Sequence, residues 1–303
     1  LLRCKKYYIM IEIKNCLLCN NGDLRKIFST KDFIVTQERF DILECLKCEI
    51  RITSPAPKKH QLNKYYESKN YRPHQNKVYL LIDYVYKIIR KYMFFKKRKL
   101  IEKKSHLKNG KLLDIGCGTG EFASFMKNSG WDVVCVDSSE TARNIAMKNF
   151  SLEVLDVEKF FNLKDIKFDV ITMWHSLEHV DKPIEYVKKV KSLLDDNGKF
   201  VFAIPNYKSF DSKFFGKYWA ANDVPRHLYH YSKKSIKTVL NKSDLVLSNI
   251  KGLPFDAYYV SYLSSRYKKT SFWISVLIGF ISNLKAKYTN NMYSSLIYIC
   301  KKM

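Results

Sequence analysis

Three of the chain's ten glycines, Gly116, Gly118 and Gly120, fall within eight residues, DIGCGTGE. An apolar run, KLLDIG, leads into them, and a helix-like stretch, GEFASFMKNSG, leads out to Gly130. Strand, tight glycine turn and helix start follow one another as in a βαβ unit. Such a turn lets backbone approach a ligand closely, and the helix start offers N–H groups with no partner in the helix.

The same rhythm continues to the C-terminal side. WDVVCVD, LEVLDV, KFDVITMW, KFVFAIPN, LVLSNIKG and SSLIYICKK read as six further strands. SSETARNIAMKN, DKPIEYVKKVKSLLDDNG and SKKSIKTVLNKS read as helices, the first capped by serine, the second by Asp181 with Pro183 in its first turn. The alternation predicts an α/β fold, a mostly parallel sheet with helices on both faces. Two acids sharpen the glycine turn. Asp114 stands just before it, and Asp137 ends the next strand, where it can take two hydroxyls of a ribose. The spacing is G-x-G-x-G, which departs from the G-x-G-x-x-G of dinucleotide-binding domains.

LLDIGCGTGEF resembles motif I of class I S-adenosylmethionine-dependent methyltransferases, and the resemblance runs from about residue 110 onward. It implies a Rossmann-like seven-stranded sheet whose last strand is antiparallel. Gly116, Gly118 and Gly120 would then pack on the methionine part and sugar of the cofactor, Asp114 would hold its amino end, and Asp137 its ribose. Asp156, with Val157 beside it, would face the adenine amino group.

HSLEH, residues 175–179, matches the H-x-x-E-H spelling of inverted zinc metallopeptidases. That site needs a helix of several turns, with both histidines on one face. Here a strand runs straight into His175, and Pro183 opens the next helix four residues after His179, so no such helix fits. The stretch W-H-x-L-E-H-V instead resembles the methyltransferase motif at the end of strand four. That places Trp174 and His175 at the cofactor pocket. His175 or His179 can accept a proton near neutral pH, or His179 and Glu178 can simply hold the loop.

Cys16-x-x-Cys19 and Cys45-x-x-Cys48 form two knuckles separated by 25 residues. Two such turns can close a tetrahedral zinc site, and four thiolates leave no open position for catalysis. A thioredoxin-like redox pair would need a helix and a βαβ unit around it, which this region lacks. The intervening segment is polar, so metal would supply much of its folding energy. The Cys pairs, YYESKNYRPH and WAANDVPRHLYHYS together resemble a bacterial subgroup of methyltransferases with an N-terminal zinc-ribbon-like module. Many members act on sugars or glycoconjugates.

The stretch 204–232 concentrates Asn206, Trp219, Asp223, Arg226, His227 and His230 beyond the end of a strand. Methyl transfer from a sulfonium is an in-line displacement, so the protein must align the acceptor and remove or hold one proton. His227 or His230 can serve as base with Asp223 orienting it, and Arg226 can hold a phosphate or carboxylate. The other reading is a structural lid. FDAYYVSYLSSRYKK (255–269) adds aromatics that can stack on a sugar ring or fill a core.

Net charge is +25. A helical pattern over 76–107, with Val78, Ile82, Val85, Ile89 and Met93 on one side, carries much of it: Lys87 to Lys111 holds eleven Lys/Arg and one acid, Glu102. RNA, an acidic membrane surface or a phosphorylated substrate would suit that charge, as would plain solvated surface. Weak or no nucleic-acid binding is expected, because lysine is abundant throughout. Peripheral membrane contact stays open. The longest apolar run, FWISVLIGFI (272–281), is too short to span a bilayer. Scattered cysteines and the lack of a signal peptide fit a reducing cytoplasm. Met10, six residues before the first knuckle, reads as a candidate initiator.

The expected partition is a zinc-ribbon-like module over 10–55, a linker and basic helix over 56–107, and an S-adenosylmethionine-binding domain over 108–303. The expected function is methyl transfer to a small-molecule or glycoconjugate acceptor, a sugar hydroxyl or carbon first. RNA base methylation is the alternative, although no N-P-P-Y type motif follows strand four. A non-catalytic cofactor-binding role is disfavoured by the intact glycine turn and ribose acid.

Overall fold

The computed structural model describes residues 10–58, 61–66 and 80–303, with backbone alone at 63 and 80–88. In chain order the elements begin with β1 (Leu24–Lys31), β2 (Arg39–Cys45), β3 (Arg51–Ser54), the single turn α1 (Asn63–Tyr66) and the long α2 (Leu80–Ser105). The alternating region follows with β4 (Lys111–Ile115), α3 (Glu121–Lys127), β5 (Asp132–Val136), α4 (Glu140–Phe150), β6 (Glu153–Leu155), α5 (Val157–Asn162), β7 (Phe168–Trp174), α6 (Pro183–Leu193) and β8 (Leu194–Pro205). Then come α7 (Phe210–Phe215), β9 (Tyr229–His230), α8 (Lys233–Asn241), β10 (Leu245–Gly252), α9 (Pro254–Lys268), α10 (Phe272–Tyr288) and β11 (Ser295–Lys302).

Two compact units result. One holds the described part of Leu1–His74 with Pro205–Thr238 and Leu253–Ser294; the other holds the described part of Gln75–Ile204 with Val239–Gly252 and Ser295–Met303. The second unit contains the seven-stranded sheet, in the order β10-β11-β8-β7-β4-β5-β6. β4 pairs in parallel with both β5 and β7, and β10 pairs antiparallel with β11. The sheet is therefore mixed and Rossmann-like, with its strand order reversing between β4 and β7. Leu112, Leu113, Val170 and Ile171 are fully buried, which explains why these strands read as unbroken apolar runs.

Ser139 caps α4 by accepting from the Ala142 amide. The Asp181 cap expected for α6 is replaced: Lys182 is the capping residue, with no side-chain bond, and Pro183 occupies the first turn, where its missing N–H costs nothing. β8 begins at Leu194 rather than Lys199. α2 buries Leu100 and Ile101 near its C-terminal end, whereas Ile89 is exposed. Val78 and residues 67–74 of the tyrosine-rich stretch lie outside the described residues, as do the side chains of Ile82 and Val85.

The first unit contains a four-stranded sheet, β1-β2-β3-β9. The polar segment between the knuckles is the β1/β2 hairpin, paired from Leu24↔Cys45 to Lys31↔Arg39 with a one-residue register shift between Lys26 and Phe28. Asp32 holds its turn by accepting from the amides of Ile34, Val35 and Thr36. The SPAP stretch is not free either, since Ala56 and Ile11 exchange two backbone bonds of 2.8 Å. One cluster packs Phe40 and Ile42 with Tyr65 and Val224; another packs Tyr207, Phe215 and Trp219 with Ile278.

Candidate active site

The glycine turn leaves β4 at the point where the sheet order reverses, which is where open α/β sheets bind ligands. Gly116, Gly118 and Gly120 all have positive φ, 78°, 56° and 85°. Their surroundings differ. A Cβ on Gly116 would run into Ser176, and one on Gly120 would meet Ala146 Cβ and Leu152 Cδ1, each at 2.8 Å. A Cβ on Gly118 would meet nothing within 4 Å. The outer glycines thus serve close packing, and the middle one faces open space.

Asp137 lies across this space. Its Oδ2 accepts from the Gly118 amide at 2.8 Å, and its Oδ1 accepts from the Ser139 amide at 2.8 Å. The Asp137 amide in turn donates to the Leu155 carbonyl at the end of β6. Asp156 follows there and caps α5, accepting from the Lys159 amide at 2.8 Å, with Val157 opening the helix. That backbone bond holds the Asp156 carboxyl below its ordinary range. Three acids therefore end three adjacent strands.

Asp114 is buried and accepts the Thr172 hydroxyl at 2.6 Å. Burial raises its pKa to about 6, against the Thr172 bond and the Lys97 charge. Lys97 also sits 4.1 Å from the Trp174 ring centroid, and Phe122 meets that ring edge-on at 5.6 Å. Thr172, Ser176 and Lys97 escaped the sequence reading. Thr172 sits inside a strand, and Lys97 is one cation in a run of four; the small Ser176 two residues after Trp174 was the available signal.

The HSLEH stretch is one 3-10 turn, Leu177–His179, with no helix of the length a zinc peptidase requires. His175 leaves β7 in the left-handed region, φ 53°, with its amide on the Ala203 carbonyl at 2.9 Å. Its Nδ1 is 3.5 Å from Glu178 Oε1. Ser176 donates to the Ile115 carbonyl at 2.9 Å, tying this turn to the end of β4.

In the other unit, the Sγ atoms of Cys16, Cys19, Cys45 and Cys48 all lie within 4.8 Å of one another. Cys16–Cys48 and Cys19–Cys45 are 3.5 and 3.4 Å apart. A tetrahedral zinc with Zn–S bonds near 2.3 Å needs sulfurs roughly 3.8 Å apart, so the four thiols fit that ion. Each knuckle ends in a left-handed residue, Asn20 and Glu49, whose amide bonds back to the first cysteine's carbonyl at 2.7 and 2.9 Å.

The insert also lies in this unit. Arg226 is buried and binds Asp32 at 2.9 Å, Asp223 at 2.6 Å and the Tyr65 carbonyl at 2.9 Å. Its donors are spent within the protein, which departs from the reading of Arg226 as an anion holder. His230 is buried on β9 with Nε2 3.1 Å from the Thr53 hydroxyl. Burial, then the His227 and Arg51 charges, hold its pKa well below the ordinary value. His227 Nδ1 is 2.9 Å from the Ala221 carbonyl and donates to it, while Nε2 lies 4.0 Å from Asp223 Oδ2. Asn206 bonds to the Tyr293 carbonyl, and Trp219 Nε1 donates to Asp211.

The profile of a family described as a methyltransferase domain matches residues 86–249, more than half of the chain. A ubiquinone biosynthesis O-methyltransferase of Coxiella burnetii is 28% identical over 145 residues, 45% of this chain and 61% of that protein. Another, from Alkalilimnicola ehrlichii, is 28% identical over 177 residues, 54% of this chain and 70% of that one. The chain thus spans less than two thirds of the Coxiella relative. The solved structure of magnesium protoporphyrin IX methyltransferase from Synechocystis PCC 6803 with bound SAH shares the fold, at TM-score 0.53 and 13% identity, covering 81% of this chain and all of that one. Glycine turn, strand order and family match agree: the chain belongs to the methyltransferase-domain family.

Proposed function

We propose that this protein transfers a methyl group from S-adenosylmethionine to a small-molecule acceptor. The observation that carries the reading is the open space at Gly118, bounded by the Asp137 carboxylate that its own amide holds at 2.8 Å. When bound, the sulfonium cofactor supplies an electrophilic methyl carbon. Gly116, Gly118 and Gly120 keep backbone close to it. Asp137 takes the ribose hydroxyls, Asp114 the amino group, and Asp156 with Val157 the adenine edge. Trp174 and His175 line the same pocket.

The proton of the acceptor needs a holder. His179 follows the strand that carries Trp174, and His227 turns Nε2 toward the Asp223 carboxylate at 4.0 Å; these are the two candidates. His230, neutral and bonded to Thr53, keeps a lesser claim, and Asp223 acts chiefly through Arg226. The relatives' names favour a hydroxyl acceptor. A sugar or glycoconjugate hydroxyl is the finer proposal, resting on the resemblance of the N-terminal stretch. In that stretch Cys16, Cys19, Cys45 and Cys48 would hold one structural zinc. The RNA alternative is weakened because Arg98 is committed to Glu102 and Ser129, and Lys97 to Trp174. Free cysteines among the described residues support a cytoplasmic site of action.

The test is direct. Titration calorimetry should show binding of S-adenosylmethionine and its demethylated product. Methyl-labelled cofactor should then label a hydroxyl-bearing metabolite or nucleotide sugar from a panel, and not transfer RNA. No cofactor binding by the folded protein would remove the reading.

A further inference from the structure

The α9–α10 hairpin is inside out. On α10 the face turned to the protein is mostly small: Ser275, Gly279, Ser282 and Ala286, with Ile278 among them. On α9 it is Ala257, Ser261, Ser264 and Ser265. The helices close on each other through these residues, and a Cβ at Gly279 would stand 3.0 Å from Tyr258 Cα. Ser282 and Ser264 hydrogen-bond to Asp211 and to the Ala220 amide. The large apolar residues point the other way. Trp273, Leu277, Phe280, Leu284 and Tyr288 are 76, 55, 55, 47 and 75% exposed. Their spacing of three and four makes one stripe about 22 Å long. Phe255, Tyr259 and Tyr262 on α9 are exposed as well. Packing does not need this surface, and soluble proteins rarely leave so much apolar area together.

Charge says what covers it. The stretch 253–294 holds Arg266, Lys268, Lys269, Lys285 and Lys287 against one acid, Asp256. All five cations are exposed. Arg266, Lys268 and Lys269 precede the turn into Phe272 and Trp273, and Lys285 and Lys287 precede Tyr288. Lys287 lies over the Tyr288 ring, although Lys268 and Lys285 also lie over Phe214 and Phe210. Positive charge thus flanks the stripe at both of its ends along the sequence. That is the pattern of a helix lying in the headgroup layer of an anionic bilayer. A second copy of the chain would bring the same cations together, on a molecule already at +25. None of the described helices is long and apolar enough to cross the bilayer.

We propose that the outer face of α9–α10 docks on membranes rich in anionic lipid, with Trp273, Leu277 and Phe280 in the acyl boundary and the flanking Lys/Arg on the headgroups. The proposal stands independently of the methyl-transfer reading.

The full chain should float with vesicles of phosphatidylcholine and phosphatidylglycerol mixed two to one, and much less with phosphatidylcholine alone. Trp273 should report it. Of the other three tryptophans, Trp131 and Trp219 are 2% exposed and Trp174 is half-buried, so the part of a blue shift on vesicle addition that Trp273→Gln removes comes from this face. The double variant Leu277→Gln, Phe280→Gln should bind at least about tenfold more weakly, because two large apolar burials are lost, at unchanged melting temperature. Flotation by the wild type on neither vesicle would overturn the proposal, as would full binding by the double variant. So would a wild-type dimer in light scattering that the double variant dissolves, which would assign the face to a second copy.

Discussion

The Gly118 amide and the Asp137 carboxylate are joined at 2.8 Å, across the ends of two neighbouring parallel strands. The second carboxylate oxygen is held by the Ser139 amide, so the acid is oriented by backbone before any ligand arrives. Preorganisation of this kind reduces what a ligand must order on binding. The three glycines should consequently separate in their effects. Gly118→Arg should abolish S-adenosylmethionine binding and destabilise by only the backbone cost of a side chain at φ 56°, about 1–2 kcal/mol, because the side chain itself enters open space. Gly116→Val and Gly120→Val should lower the melting temperature, through collision with Ser176 and with Ala146 and Leu152. Asp137→Ala should weaken binding by about 1.5–3 kcal/mol, the worth of charged hydrogen bonds. Calorimetry and thermal melts on the four variants check this, and binding by Gly118→Arg at wild-type strength would refute the placement.

Asp114 predicts a pH signature. Its folded pKa, about 6, lies above its ordinary 3.8 because it is buried. The native chain therefore holds this proton more tightly than the unfolded chain. Its contribution to stability is largest below pH 4, declines as pH rises to about 6, and is flat beyond. A gap of about two pH units corresponds to roughly 3 kcal/mol. Urea unfolding of Asp114→Asn should lack this decline, and the difference between variant and wild type isolates it. If Asp114 in its ionised form also holds the cofactor's amino group, wild-type affinity should weaken below pH 6. Parallel stability curves for the two proteins would remove the assignment.

Zinc analysis should return one ion per chain. Cys16→Ser with Cys19→Ser should lose it and unfold the β1/β2 hairpin. A strong chelator should lower the melting temperature of the wild type and leave the double variant unaffected. Metal-free protein of full stability would count against a structural site.

Arg226 should behave as a stability residue. Arg226→Met leaves the buried Asp32 and the half-buried Asp223 without their cation, at a cost of about 3–5 kcal/mol, most of it from Asp32. Burial alone would raise Asp32, but Arg226 more than offsets it and holds the carboxyl below its ordinary range. Stability from this pair is thus present above pH 4 and lost as pH falls further. Acid unfolding midpoints should shift upward in the variant. A loss of acceptor affinity without loss of stability would instead revive the anion-holding role.

Much of this architecture is legible without coordinates. Buried parallel strands such as KLLDI and DVVCV are continuous apolar runs, and Ser139 and Pro183 mark helix starts by local chemistry. The β1/β2 hairpin is not legible, because its outward residues are charged and only Phe40 and Ile42 show the period of two. α9 and α10 hide for a different reason. Their large residues recur at helical spacing but face solvent, so the usual inference from apolar stripe to core points the wrong way. Arg226 is the clearest limit at the insert. Its partner Asp32 is 194 residues away, and nothing local distinguishes a cation waiting for a ligand from one already paired.

β11 lies between β10 and β8, so the last strand in chain order is an interior one, buried from Ser295 to Cys300. A nascent chain that has emerged only through Gly252 therefore presents β8 with an open edge and no neighbour on that side. The sheet cannot zip from one end to the other during synthesis; it must wait and admit its final strand into a gap. Unpaired edges of apolar strands recruit other chains. Between translation of β10 and of β11 that edge stays open, and the strand order alone creates a window in which another chain can pair with it.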